Sequence, residues 1–400
     1  MDNIMIGDRI KRKRLSAGMS LQDLADKLNG SGMRLSKAAL SNYETRKTVP
    51  NAKTLWALAK VFSVSMEYFV REIDTTISLQ GYRKRSGLSK QRHGQIIAFI
   101  LEEIEKRIEI DTILGIESIF AVPQQREIGK VEEAELIAES VRQEWALGGQ
   151  PIASVSALLE DKGWFVIQSP NEEDFDGLAG FVEESHRPFA VSRSGIAMDR
   201  LRLNLMHEAG HAFLRCSDEK LGEKAAFRFA AALLFPKEKV FEELGRKRKS
   251  LDMDELVLLK RKYGLSIQAM AFRLKDLEII SDSYFSLIFT YLNQMGFRIQ
   301  EPGSQDLAFQ EVPMTFRRHV YRARGEGLIS ELEVTRFLPD HTARAEGLGP
   351  KSSADIKRLL SLPKAEREHI LEAAASAAIE DYASSEVNLG ESVDDIKEYP

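Results

Sequence analysis

Apolar positions recur at a spacing of three to four along most of the chain, the signature of amphipathic helices. In the first 70 residues the runs are short. Ile6, Ile10 and Leu15 fall in one pattern, and Ser20 precedes LQDLADKL, where Leu21, Leu24, Ala25 and Leu28 share a face. Asn29, Gly30 and Gly32 break that run. Ser36 opens a third helix through Tyr43, and LWALAKVF makes a fourth after Pro50, ending before VSMEYF. Short helices packed at steep angles around Leu24, Ala25, Leu40 and Leu55 predict a helix-turn-helix bundle over 1–71.

The stretch 72–130 predicts a helical connector. Past Ser78, the basic LQGYRKRSGLSKQ reads as a linker with Arg83, Lys84 and Arg85 in solvent, and a long helix follows from about Gln91 to Leu114. Its stripe of Ile96, Ile97, Ile100, Leu101, Ile104 and Ile108 needs a cover, either the next domain or a second copy. Over 131–245 the period changes. Helices at Val131–Ala146 and SVSALLEDKG precede WFVIQSP, AGFVEE and PFAVSRSG, which read as strands, and a helix DRLRLNLMHEAGHAFL follows them. Over 246–348, after RKRKS, a helix, a glycine turn and a second helix capped by Ser266 form another helix-turn-helix-like pair, and short helices close the segment. Over 349–400 one helix carries Leu362, Ile370, Ala374, Ala378, Ile379 and Tyr382 as an apolar stripe, and an acidic end follows. The expected class is mainly α with an α+β part, a small sheet in the middle domain and helical segments after it.

Composition narrows the setting. A chain of 400 residues predicts two or three domains, and 43% hydrophobic with 29% charged residues lies in the globular range. Cys216 stands alone, so neither an intramolecular disulfide nor a cysteine zinc cage can form, which fits a reducing compartment. No leader-like start and no stretch of about 18 apolar residues is present, so a cytoplasmic location without a membrane is expected. The net charge of −5 hides an asymmetry: 12 Lys and Arg against 6 Asp and Glu in residues 1–70, and 1 against 7 in residues 380–400. The basic head suits a polyanion, and the acidic tail suits a basic partner.

The chemistry concentrates in HEAGH. The i,i+4 spacing of His207 and His211 places two imidazoles about 6 Å apart on one helical face, where they can share a zinc ion, with Glu208 able to reach its open position. Gly210 lets a neighbouring element approach closely. A catalytic zinc needs a third protein ligand, for which Cys216, Asp218, Glu219 and Glu223 are downstream candidates. Glu223 leads because it begins a helix that can run back antiparallel, and Asp218 is second.

Two resemblances sit on these residues. IGDRIKRKR, GMSLQDLA, Ser36–Glu44 and SVSMEYF resemble the XRE or lambda-repressor-like family. The likeness implies that the third helix enters the major groove of an operator in double-stranded DNA, with Lys37, Ala38, Ser41 and Asn42 near base edges and Gln22 against phosphate. WALGGQPI, WFVIQSP, Asp176–Phe181, PFAVS, the HEAGH helix and Glu223–Pro236 resemble the ImmA/IrrE family of bacterial metallopeptidases, with a zincin-like domain. That match implies His207, His211 and Glu223 as zinc ligands and Glu208 as general base of metal-assisted peptide hydrolysis. The chain departs from the family pattern at Phe227, usually Asn, and at Phe235, usually Met. The group that stabilises the oxyanion is not fixed by the sequence; His186 and Tyr263 are candidates.

The tail resembles the toxin-binding tails of small antitoxins, with Ile370, Ile379 and Tyr382 as contacts. Two functions follow. One is a DNA-binding transcriptional regulator that carries a zinc-dependent endopeptidase and cleaves a regulatory protein. The other is an antitoxin and autorepressor with weak or no turnover, whose tail binds a cognate toxin. Both expect a homodimer, because a palindromic operator mirrors a two-fold protein.

Overall fold

The computed structural model describes residues 4–70, 75–80, 89–117, 120–169, 175–297 and 300–339. The chain divides into two compact units, Met1–Ser330 and Glu331–Pro400. The tail beyond 339, with Ile370, Ile379 and Tyr382, lies outside the described residues, as do Arg83, Lys84 and Arg85.

The first five helices are α1 (Ile4–Ser16), α2 (Leu21–Gly30), α3 (Lys37–Glu44), α4 (Ala52–Phe62) and α5 (Glu67–Val70). Ser20 and Asp23 close a reciprocal capping box at the start of α2, and the backbone N–H of Ser20 holds the Asp23 carboxyl below the usual range. Ser36 and Asn51 cap α3 and α4. Ile10, Leu24, Leu28, Leu40, Leu58 and Phe69 pack into one core. The buried Arg14 guanidinium donates to both oxygens of Glu44, at 2.6 and 2.7 Å, and ties α1 to α3. The longer loop between α2 and α3 is pinned by Asn29, whose Oδ1 accepts from Leu35 N at 3.1 Å.

β1 (Ile77–Gln80) corrects the linker reading, since these residues form an edge strand. α6 (Lys90–Ile113), β2 (Arg126–Glu127), α7 (Glu133–Glu144), α8 (Val155–Asp161), β3 (Phe165–Ser169), β4 (Gly177–Val182), β5 (Pro188–Arg193), α9 (Met198–Gly210), β6 (Leu214–Arg215) and α10 (Glu219–Leu234) follow. The main sheet runs β1-β4-β5-β3, with β3 parallel to β5 and β4 antiparallel to both of its neighbours. β2 and β6 form a separate parallel pair. Side chains alternate across the main sheet. Phe165, Ile167, Leu178, Phe189 and Val191 meet Ile96, Ile100 and Ile104 of α6, while Val166, Phe181 and Ala190 join the core that contains Leu205, Met206 and Ala209 of α9. Ile96, Ile100 and Ile104 of the α6 stripe are therefore covered by the chain's own sheet, with Ile97 and Ile108 partly buried against the same core.

The remaining helices are α11 (Lys237–Leu244), α12 (Met253–Tyr263), α13 (Ile267–Asp276), α14 (Asp282–Gln294), α15 (Thr315–Gly325) and, in the second unit, α16 (Glu331–Phe337). α12 ends on Gly264 at φ 65° and α13 starts on Ser266, as the glycine turn and the cap predict. Two carboxylates of the strap between α14 and α15 then serve as remote caps. Glu301 accepts from the backbone N–H groups of Ile267 and Gln268 and pairs with buried Lys260. Glu311 accepts from the N–H groups of Val155 and Ser156 at 2.9 and 2.7 Å and from Arg202 of α9 at 2.5 Å. Both side chains of the Arg202–Glu311 pair are at 0% exposure. No helix among the described residues is long and apolar enough to cross a membrane.

The strap generates a stability prediction. Glu311→Ala leaves buried Arg202 with backbone carbonyls but no counter-charge and leaves two helix N–H groups without their acceptor, which is expected to remove about 3–5 kcal/mol. Denaturant unfolding of the natural chain and the variant measures it, and a loss below that of an ordinary surface substitution would contradict the capping role.

Candidate functional site

α9 carries His207 in its last turn, and His211 is the residue that ends the helix. Their Nε2 atoms lie 3.3 Å apart. The chain turns through β6 and re-enters α10, whose N-cap is Asp218, accepting from Lys220 N and Leu221 N. Asp218 is thus committed to capping. One turn into α10, Glu223 aims its carboxylate at the histidines, with Oε2 3.7 Å from His207 Nε2 and Oε1 3.7 Å from His211 Nε2. Among the described residues these three form the cluster able to hold a metal ion, its ligand atoms all within 4.8 Å of one another. Cys216 and Glu219 are not part of it.

The spacing fits a tetrahedral ion. Zinc bonds of about 2.0–2.1 Å at tetrahedral angles place neighbouring ligand atoms about 3.3–3.4 Å apart, close to the separations here. Two imidazoles and one carboxylate leave the fourth position for solvent or substrate.

Glu208 is buried beside this cluster. Burial first, and the Glu223 carboxylate second, push its carboxyl up to about 8, a shift that a cation at the cluster would oppose. Space for Glu208 comes from Gly177 at the start of β4. A Cβ there would meet Glu208 Cγ at 2.9 Å and Val191 O at 2.7 Å. A glycine in a strand can signal such a close approach, but β4 holds two, Gly177 and Gly180, and the sequence does not say which element either one meets. The ring of Phe227 lies against His207, with centroids 3.9 Å apart.

The two oxyanion candidates stand elsewhere. Tyr263 is buried against Phe235 and donates to Glu243, and burial raises its hydroxyl well above the ordinary tyrosine range. His186 is exposed at φ 56° in the turn between β4 and β5.

In the N-terminal bundle, Gln22, Lys37 and Ala38 are exposed, and Ser41 and Asn42 are half-buried on α3. Gln22 also donates to Asp26 one turn on, at 2.9 Å. The surplus of basic residues divides in two. Arg9 and Arg12 pair with Glu105 and Lys13 pairs with Glu102, all on α6, while Arg34, Lys37 and Lys47 are exposed.

Two histidines, a glutamate on the next helix and a second buried glutamate beside them form an arrangement that could hold a metal ion, in a part of the chain that follows a helix-turn-helix bundle. Comparison with known families agrees: residues 10–69 match the helix-turn-helix model, and residues 196–275 match the IrrE N-terminal-like domain of a peptidase family. No curated protein matches the chain. Residues 10–69 are thus similar to XRE-type helix-turn-helix domains and residues 196–275 to ImmA/IrrE-like peptidase domains.

The cluster generates a metal prediction. Purified protein is expected to hold about one zinc per chain, lost in His207→Ala and His211→Ala and strongly weakened in Glu223→Ala. Elemental analysis after dialysis reads the content, and full zinc in the double histidine variant would place the metal elsewhere.

Proposed function

We propose that the chain is a DNA-binding transcriptional regulator whose second domain is a zinc-dependent endopeptidase acting on a regulatory protein in the cytoplasm. The observation that carries this reading is the convergence of His207, His211 and Glu223 with buried Glu208 alongside. His207, His211 and Glu223 would hold the ion, which when bound would supply Lewis acidity toward a carbonyl and a water. Glu208 takes the proton of the attacking water and delivers it to the amine nitrogen as the C–N bond breaks. Gly177 keeps that carboxylate in place, since any larger residue would displace it.

The DNA-binding half rests on the matched bundle and on the exposed start of α3. Lys37 and Asn42 read base edges, Ala38 and Ser41 line the same surface, Gln22 meets phosphate, and a homodimer spans a two-fold operator. The toxin-binding alternative rests on the sequence of the tail, and no described residue favours it.

Two outcomes check the proposal. Lys37→Ala and Asn42→Ala are each expected to cost about 1–3 kcal/mol on an operator selected from random DNA, and an unchanged double variant would remove α3 as the reader. A degenerate peptide library is expected to be cleaved by the zinc-loaded chain and left intact by Glu208→Gln, which keeps its metal. Equal cleavage by Glu208→Gln would remove Glu208 as the base.

A further inference from the structure

The two departures from the ImmA/IrrE-like pattern meet opposite surroundings. Phe235 is fully buried, stacked on Tyr263 with centroids 4.0 Å apart. Its replacement of the usual Met is a matter of packing. Phe227 keeps 46% of its surface exposed, although it stands one turn beyond Glu223 on the same helix and touches His207. Its neighbours Ala226, Phe229 and Ala230 are completely buried. The helix that presents Phe227 is therefore fixed, and the ring is held against His207 with nearly half of its surface in solvent.

An exposed phenyl ring leaves apolar area in water and has no hydrogen-bonding group to offer. A peptide whose carbonyl reaches the cluster must bring a flanking side chain near this ring. We propose that Phe227 is a specificity-determining residue, an apolar shelf for a large apolar side chain next to the scissile bond of a polypeptide substrate. The proposal rests on the peptidase reading above. An asparagine at this position would instead offer an amide to polar groups, so the exchange alters which side chains the site accepts.

The test uses the zinc-loaded full chain with two probes, N-acetyl-phenylalanine hydroxamate and N-acetyl-serine hydroxamate, titrated by calorimetry alongside zinc analysis. Both probes share the metal-binding group, so the ratio of their affinities reports the side chain. The natural chain is expected to favour the phenylalanine probe by about tenfold, falling to within about twofold in Phe227→Asn, with zinc content unchanged. Phe227→Leu, still apolar, is expected to keep the preference. Equal binding of both probes by the zinc-loaded natural chain overturns the assignment and leaves the peptidase reading standing. A ratio preserved in Phe227→Asn while both affinities fall together also overturns it, because that is the mark of a residue that only steadies His207. A chain that holds no zinc and binds neither probe overturns both readings.

Discussion

The close approach of α10 to the last turn of α9 is the constraint on which the site depends. A Cβ at residue 210 would lie 2.9 Å from Phe229 Cδ1 and 3.5 Å from the carbonyl oxygen of Ala226, so a larger residue there would press on the buried Phe229 ring where the two helices meet. Ala225, Ala226 and Ala230 present similarly small surfaces in the same core. Two histidines one turn apart are a common feature of helices. Here they could serve as a ligand set because the second helix is near enough for Glu223 to join them, and the absence of a side chain at Gly210 helps the Phe229 ring pack between the helices.

The layers around this helix pair also join the two halves of the first unit. α6 covers the sheet with its isoleucines and meets α1 with its acidic residues, so one helix serves the peptidase layer and the helix-turn-helix bundle together. Ion pairs of this kind weaken with salt where they are exposed, but Arg9 is nearly fully buried and is screened much less. Farther along, the strap with Glu301 and Glu311 ends two helices that begin in the interior, and its cationic partners Lys260 and Arg202 sit on α12 and α9. Removing one member of such a buried pair is far more damaging than the pair's own contribution to stability.

Much of this was legible in the sequence, for reasons that particular residues make plain. Period, caps and glycine turns located the helices of the bundle, the pair around Gly264 and the HEAGH helix, because those signals act within a few residues. The role of Gly210 followed from its place beside two histidines. Contacts between distant segments were not legible. The chain from Ser78 reads as a linker because so short a strand carries little pattern, and the strand identity of Ile77–Gln80 comes from the edge of β4 that it pairs with. Likewise Glu301 and Glu311 look like ordinary loop carboxylates until the fold brings helix N-termini to them. Gly177 and Phe227 lay within quoted motifs, yet their contacts with Glu208 and His207 depend on how β4 and α10 are placed against α9.

The most direct measurement is anomalous diffraction at the zinc edge from crystals of the zinc-loaded chain. The account predicts a single strong peak about 2.0–2.2 Å from His207 Nε2, His211 Nε2 and a carboxylate oxygen of Glu223. A peak ligated by Cys216 or Asp218, or no peak between α9 and α10, would contradict it.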